Sequence, residues 1–331
     1  MLPWFKNQFP LYLAPMAGVS NTVFRQICKK HGADVLVTEF VSADGILHKN
    51  KRTKEYLEFS EKERPVGVQL FGADPEHLAE AAKHVVDWVR PDFIDLNFGC
   101  PVNKVVSKNG GSALLKDCPL LEKVALAVVK ASPVPVTAKI RLGWSETTIN
   151  ACQTAKILQD VGVQALAVHG RTKEQGYSGE ANWDRIAEVA EAVSIPVIGN
   201  GDIDCVEDVL RHRQTSKIAG VMIGRAAMSG PWIFAQIKHY LKTGEVLPPP
   251  SLEVRWSQII DHCRQEVAWR GVEGPVMHSL RARLMAYSRG MPAGRQLRSL
   301  MQQVSSISDI EKVAKDHLET ASQQQTANSP A

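Results

Sequence analysis

The sequence predicts an α/β protein: a (β/α)8 TIM barrel followed by a small all-α helical-bundle domain. Three observations carry this. Eight short apolar, β-branched runs each precede a stretch with helical periodicity, the pattern of parallel strands joined by crossover helices. The ends of those runs collect polar residues and glycines, where such barrels keep their working groups. Beyond Tyr240 the strand candidates stop and only amphipathic stretches follow. A chain of 331 residues, 44% hydrophobic and 22% charged, has room for a barrel of roughly 250 residues and an appendage.

The eight runs are Leu11–Pro15, Asp34–Phe40, Pro65–Phe71, Phe93–Phe98, Pro135–Leu142, Ala165–His169, Pro196–Gly199 and Gly220–Ile223. After the third, Pro75–Val89 places Leu78, Ala81, Ala82, Val85 and Val86 on one helical face. Ser194-Ile195-Pro196 ends a helix and opens the seventh strand. Eight such units close into a barrel more naturally than they form an open sheet. A doubly wound open sheet is the alternative, but the first strand–helix turn, Ala14 to Asn21, lacks the GxGxxG of a dinucleotide-binding version. Downstream, Thr243-Gly244-Glu245 closes a helix and Pro248-Pro249-Pro250 is a stiff break. Helical stretches then fall at Leu252–Trp269, Pro275–Tyr287, Gly294–Val304 and Ser308–His317. The predicted division is a barrel over 1–245, a helical domain over 246–320, and a disordered tail over 321–331, where ASQQQTANSPA is polar and small.

The net charge of +4 permits a polyanionic partner without demanding one. None of the six cysteines (28, 100, 118, 152, 205 and 263) belongs to a CxxC pair, which argues against a closed zinc or iron–sulfur site and for reduced thiols. No apolar run reaches the roughly 18 residues that cross a bilayer, and MLPWFKNQFP is not built as a signal peptide. The expectation is a cytoplasmic protein without metal or membrane attachment, for which a monomer would suffice.

The strand ends point to chemistry. The first ends in Pro15-Met16-Ala17, and the third carries Gln69. The fourth ends in Asn97-Phe98-Gly99-Cys100-Pro101, and the fifth carries Lys139 and Arg141. The sixth ends in His169-Gly170-Arg171, the seventh in Asn200-Gly201-Asp202 and the eighth in Gly224-Arg225. Polar side chains in an apolar barrel are costly unless they bind something. Loops after the last two strands often take a phosphate. Gly201 and Gly224 would allow close backbone approach and Arg225 would supply a cation; the alternative is that both glycines merely make turns. Cys100 is the candidate acid, because a thiol of ordinary pKa, about 8.5, stays protonated at neutral pH and can donate to carbon. A lone cysteine is usually inert and buried; the strand-end setting of Cys100 raises it above the other five, which fall on or beside helices.

The strings APMAGVSNTVFR (14–25), LNFGCPVNKV (96–105), GGSALL (110–115), AKIRLGW (138–144), VHGRT (168–172), IGNGDI (198–203) and MIGRAA (222–227) closely resemble tRNA-dihydrouridine synthases. Leu280, Arg281, Tyr287 and Arg298 resemble the helical domain of that family, and the likeness is nearest to its bacterial B-type branch. NxGCP is the most specific motif; GNGDI also occurs in related flavin barrels. The resemblance implies a tightly bound FMN held by Pro15, Met16, Ala17, Gln69, Lys139, His169, Asn200, Gly201, Asp202, Gly224 and Arg225. It implies Asn97 and Arg171 facing the uracil and Cys100 as proton donor. Hydride would pass from flavin to C6 and a proton to C5, with NADPH or NADH as transient reductant, and D-loop uridines of tRNA, position 17 among them, as targets. Ser20-Asn21 stands where the family often has Thr-Asp, and either pair can cap the next helix.

A stacked base cannot reach a barrel floor, so the target nucleotide must swing out. The remaining RNA needs a basic platform. HKNKRTK (48–54) carries four Lys/Arg in the loop after the second strand, on the active face, Lys104 and Lys108 follow Cys100 on that face, and 264–301 holds seven arginines against two glutamates. Arg295 and Arg298 would share a helical face. Each cluster alone reads as solvated surface; together they flank one mouth. A flavin barrel acting on a free pyrimidine, like a dihydroorotate dehydrogenase, is the competing enzyme, and it has no use for the arginine-rich tail. A non-catalytic RNA-binding factor on a barrel scaffold would be colourless.

Overall fold

The protein is described by a computed structural model covering residues 2–6, 8–48, 51–107 and 109–327. Its apolar runs form β1 (Leu11–Leu13), β2 (Leu36–Val37), β3 (Val41–Ser42), β4 (Val66–Phe71), β5 (Phe93–Phe98), β6 (Val136–Arg141), β7 (Leu166–His169), β8 (Val197–Asn200) and β9 (Gly220–Ile223). The pairings are parallel and run β2-β4-β5-β6-β7-β8-β9-β1. A bridge from Tyr12 to Val35 brings β1 beside β2 and completes the ring. This is the (β/α)8 barrel that the alternation predicts.

One element differs from the expectation. The second strand, expected over Asp34–Phe40, is divided into β2 and β3, both paired with β4. Local side-chain bonding interrupts it. Thr38 Oγ1 donates to the carbonyl of Glu39 at 3.0 Å and accepts from the Gln69 N–H at 3.2 Å, while the Glu39 carboxylate turns to the Gly18 N–H at 2.7 Å.

Most apolar burial lies between the strands and the surrounding helices. Inside the barrel a second cluster gathers Tyr12, Val35, Phe93, Ala167, Ile198 and Met222, and Leu2, Trp4 and Phe5 plug it from below. Gly67 is needed here, since a Cβ at that position would lie 2.1 Å from the Phe93 ring. The plug leaves the C-terminal ends of the strands as the open face.

Four helices follow, Leu252–Arg270, Glu273–Tyr287, Gly294–Met301 and Ile307–Ala327. They bury a separate core that includes Trp256, Met277, Leu284, Tyr287 and Met301. The last helix corrects the tail expectation: 321–327 is helical where disorder was expected from 321. Ala and Gln are good helix formers, and extending a helix already begun is cheap. Residues 328–331 lie outside the described residues. Among the described residues no helix is long and apolar enough to cross a membrane.

Candidate active site

The C-terminal strand ends surround a cleft of about 490 Å³. Pro15, Met16, Ala17, Gln69, Asn97, Cys100, Lys139, His169, Asn200, Gly201, Asp202, Gly224 and Arg225 all line it. These residues come from seven different strands or the turns after them, so only the closed barrel brings them together.

On one side a buried amide relay orders the thiol. Asp95 accepts from Thr137 Oγ1 at 2.6 Å and from Gln69 Nε2 at 2.7 Å. Gln69 Oε1 accepts from Asn97 Nδ2 at 2.8 Å, and Asn97 Oδ1 accepts from the N–H groups of Gly99 and Cys100 at 3.1 and 2.9 Å. Burial pushes the Asp95 carboxyl up, and the bonds from Thr137 and Gln69 oppose it. The Cys100 carbonyl accepts from the Ser112 hydroxyl at 2.8 Å and its N–H at 3.2 Å. Gly111 makes that packing possible: its φ is +58°, and a Cβ there would lie 2.9 Å from the Cys100 carbonyl oxygen. This accounts for the GGSALL motif. Burial pushes the Cys100 thiol above its ordinary pKa, so it carries its proton at neutral pH.

Lys139 projects into the cleft with no hydrogen-bond acceptor among the described residues. Burial, then the charge of Arg141, lower its pKa to about 8. Arg141 spans the wall, donating to the carbonyl of Gly99 at 3.0 Å and to those of Thr172 and Gly176, each at 2.8 Å. His169 is neutral: burial and the cations Lys139, Arg141, Arg171 and Arg225 drive its pKa far down.

Asp202 is the hub of the opposite rim. It accepts both Nη groups of Arg171 at 3.0 and 2.7 Å, the Ala181 N–H at 2.7 Å and Arg225 Nη2 at 2.6 Å. Burial alone would raise its carboxyl; the Arg171 and Ala181 bonds, and the charges of both arginines, leave it lowered. Asn200 Nδ2 donates to the Met222 carbonyl at 2.7 Å, tying β8 to β9 below the rim.

Arg171 departs from its predicted place. It is 1% exposed and stands behind the cleft wall, spent on Asp202 and on the carbonyls of Ser178 and Gly179. The exposed aromatic surface at the mouth is Tyr177, whose ring centroid lies 5.7 Å from the buried guanidinium of Arg141 and 5.3 Å from the half-exposed one of Arg225. Tyr177 is 63% exposed and had no part in the sequence reading. A lone aromatic among polar loop residues after a barrel strand was the available signal.

The helical unit grips the wall formed by residues 15–21. Arg283 donates through Nη2 and Nε to the Gly18 carbonyl at 2.7 and 3.2 Å, and through Nη1 to Glu266 Oε1 at 2.6 Å. Asn21 caps the helix Thr22–Lys30 through the Phe24 N–H and donates to the same Glu266 oxygen at 2.6 Å. Burial pulls Glu266 up, but His262, Arg283 and Asn21 hold it at about 2. Of the predicted basic segments, Lys49, Asn50, Lys108 and the side chains of Lys51, Arg52 and Lys104 lie outside the described residues. In the helical unit Arg264 pairs with Glu311 at 2.6 Å and Arg281 donates to the Val304 carbonyl, while Arg289, Arg295 and Arg298 are exposed.

A barrel mouth that joins a protonated thiol, a neutral imidazole and an unpaired lysine belongs to an enzyme. The chain is a member of the dihydrouridine synthase family, in its B-type branch: the model "Dihydrouridine synthase (Dus)" matches residues 12–326. It is 42% identical over 289 residues to tRNA-dihydrouridine synthase B of Pseudomonas aeruginosa, covering 87% of this chain and 86% of that one. It is 46% identical over 238 residues to the protein of the same name from Pseudomonas syringae pv. tomato, covering 72% and 70%. Among solved structures, 6-hydroxypseudooxynicotine amine oxidase from Pseudomonas geniculata N1 shares the fold, with a TM-score of 0.53 at 15% identity over 70% of this chain. The chain spans about half the length of that protein, 47%.

Proposed function

We propose that the protein reduces D-loop uridines of tRNA to 5,6-dihydrouridine on a bound FMN, with Cys100 giving the proton to C5. The observation that carries this is the presence, in one cleft, of a protonated thiol and a lysine that has no acceptor among the described residues. The residues fit the cofactor. A cleft of about 490 Å³ lies within the usual range of cofactor sites, about 300–1,000 Å³. The unpaired Lys139 calls for an electron-rich partner, and Met16 with Ala17 gives an apolar wall. The loops at Asn200-Gly201-Asp202 and Gly224-Arg225 stand where barrels of this type take phosphate.

Pro15, Met16, Ala17, Gln69, Lys139, His169, Asn200, Gly201, Asp202, Gly224 and Arg225 would hold FMN. Bound and reduced there, FMN would supply a hydride for uracil C6, with NADPH or NADH as its reductant. Asn97 would meet the uracil edge, and Tyr177, exposed at the mouth, would receive the swung-out base, while Arg171 stands one layer back holding Asp202. Negative charge arriving at C5 draws the Cys100 proton, and Lys139 offsets charge on the ring system beside it. The reading places this work in the cytoplasm, by a monomer, with position 17 among the targets.

The test is direct. Purified protein should be yellow and release FMN on denaturation. Cys100→Ala should keep that flavin and reduce unmodified tRNA at least about 100-fold more slowly. A colourless preparation, or full activity in Cys100→Ala, would defeat the reading. Turnover of free uracil in preference to tRNA would favour the free-pyrimidine alternative.

A further inference from the structure

The motif AKIRLGW ends in Trp144, which the cleft does not use. Trp144 follows β6, Lys173 lies in the loop after β7, and Lys116 ends the short helix Gly111–Lys116 after β5. All three therefore stand at the end of the barrel that carries the cleft. The Lys116 and Lys173 ammonium groups lie 4.5 and 4.3 Å from the Trp144 ring centroid. The ring is held by its own surroundings. Trp144 Nε1 donates to Glu174 Oε1 at 3.1 Å, its carbonyl accepts from the Glu174 N–H at 3.0 Å, and the Gly143 carbonyl accepts from the Lys173 N–H at 3.0 Å. The same loop carries Tyr177 to the cleft mouth, fixed by the bond from Arg141 to Gly176.

Two like charges on one indole repel, and cation–π attraction at a partly exposed ring is modest. Glu174 bonds the ring edge and offsets part of that charge. Among the described residues neither ammonium has a carboxylate within ion-pair distance. β5, β6 and β7 lie across the ring from β1 and β9, the side on which the helical unit grips Gly18. An RNA reaching over the mouth from that unit meets Trp144 next. Within the helical unit Arg264, Arg281 and Arg283 are committed to Glu311, Glu266 and backbone carbonyls, leaving Arg289, Arg295 and Arg298 exposed there, and Lys116 and Lys173 add cations on the far side of the mouth.

We propose that Lys116, Trp144 and Lys173 form a docking point for the RNA strand flanking the target nucleotide, the two ammonium groups meeting phosphates and the indole a ribose or base. This rests on the reading that the substrate is tRNA. Ammonium groups bind phosphate as point charges, and aromatic planes receive nucleotides without demanding a sequence.

The experiment measures binding of an unmodified tRNA transcript over a range of salt concentrations, together with steady-state reduction of the same RNA. Bound flavin in each sample reports folding. The double variant Lys116→Gln, Lys173→Gln should flatten the slope of log affinity against log salt by about 1.5 and weaken low-salt binding about tenfold. Trp144→Leu, with both lysines kept, should raise KM several-fold at near-normal kcat. Wild-type slope and affinity in the double variant, with wild-type KM in Trp144→Leu, would overturn the proposal while leaving the proposed reaction standing. A wild-type protein that does not bind tRNA at all would overturn both.

Discussion

At the scale of single residues, Lys139 has the clearest physical consequence. Its pKa falls to about 8 because burial, and then Arg141, disfavour the charged form in the folded cleft. With a folded pKa below the unfolded one, the unfolded chain binds more protons between about pH 8 and the ordinary lysine value near 10.5. This group therefore opposes folding below pH 8, and the penalty fades as pH rises through that window. Flavin-stripped protein is expected to gain stability from pH 8 toward 10, by on the order of 1–2 kcal/mol after allowance for solvent reaching the cleft. Lys139→Met should abolish that gain and lose flavin, as thermal melts across pH and bound-flavin absorbance would report. The residues that line the cleft were legible because each sits at or just past a strand end, and barrels place those ends together. The position of Arg171 behind the wall was not legible, because the chain turns back directly after β7, where its N–H bonds the His169 carbonyl at 2.8 Å. Tyr177 was missed because a loop has no period from which a side chain's direction can be read.

At the scale of elements, strand register follows from β-branched runs, and β5 and β9 lie where the sequence put them. The break between β2 and β3 was not legible. It depends on Thr38 and Glu39 finding partners on Gln69 and Gly18, residues that are distant in sequence. The same holds for the grip of helix Glu273–Tyr287 on the first loop. Arg283→Ala would strand Glu266 as a buried carboxylate short of a cation, a loss of about 3 kcal/mol, and would free the Gly18 carbonyl. Lower stability in denaturant titrations and several-fold weaker flavin retention are the expected results. An unchanged flavin affinity would mean that the wall at residues 15–18 holds its shape without the helical unit.

At the scale of the whole molecule, a buried polar cluster of Asn21, His262, Glu266 and Arg283 joins the two cores, beside the stacking of Phe24 on His262 and the bond from His31 to Gln258. Glu266 is held at about 2 against an ordinary 4.5. A carboxylate lowered in this way stabilises the fold fully above pH 4.5, and that contribution is lost as pH falls toward 2. Acid titration followed by tryptophan fluorescence should show a transition in that window, and Glu266→Gln should shift or remove it. That a helical unit follows the barrel was legible from the end of strand candidates. Their mutual placement was not, because it rests on polar and ring contacts between residues distant in sequence, such as Asn21 with Glu266 and Phe24 with His262.

The stopper formed by Leu2, Trp4 and Phe5 shuts the barrel's lower end. Among the described residues, a cofactor in the cleft, as proposed, is then reached through the mouth at the strands' C-terminal ends. An electron donor and a folded RNA, both bulky, are expected to take turns there. Initial-rate plots with both concentrations varied should then give parallel lines, whereas intersecting lines would require the two to be accommodated at once.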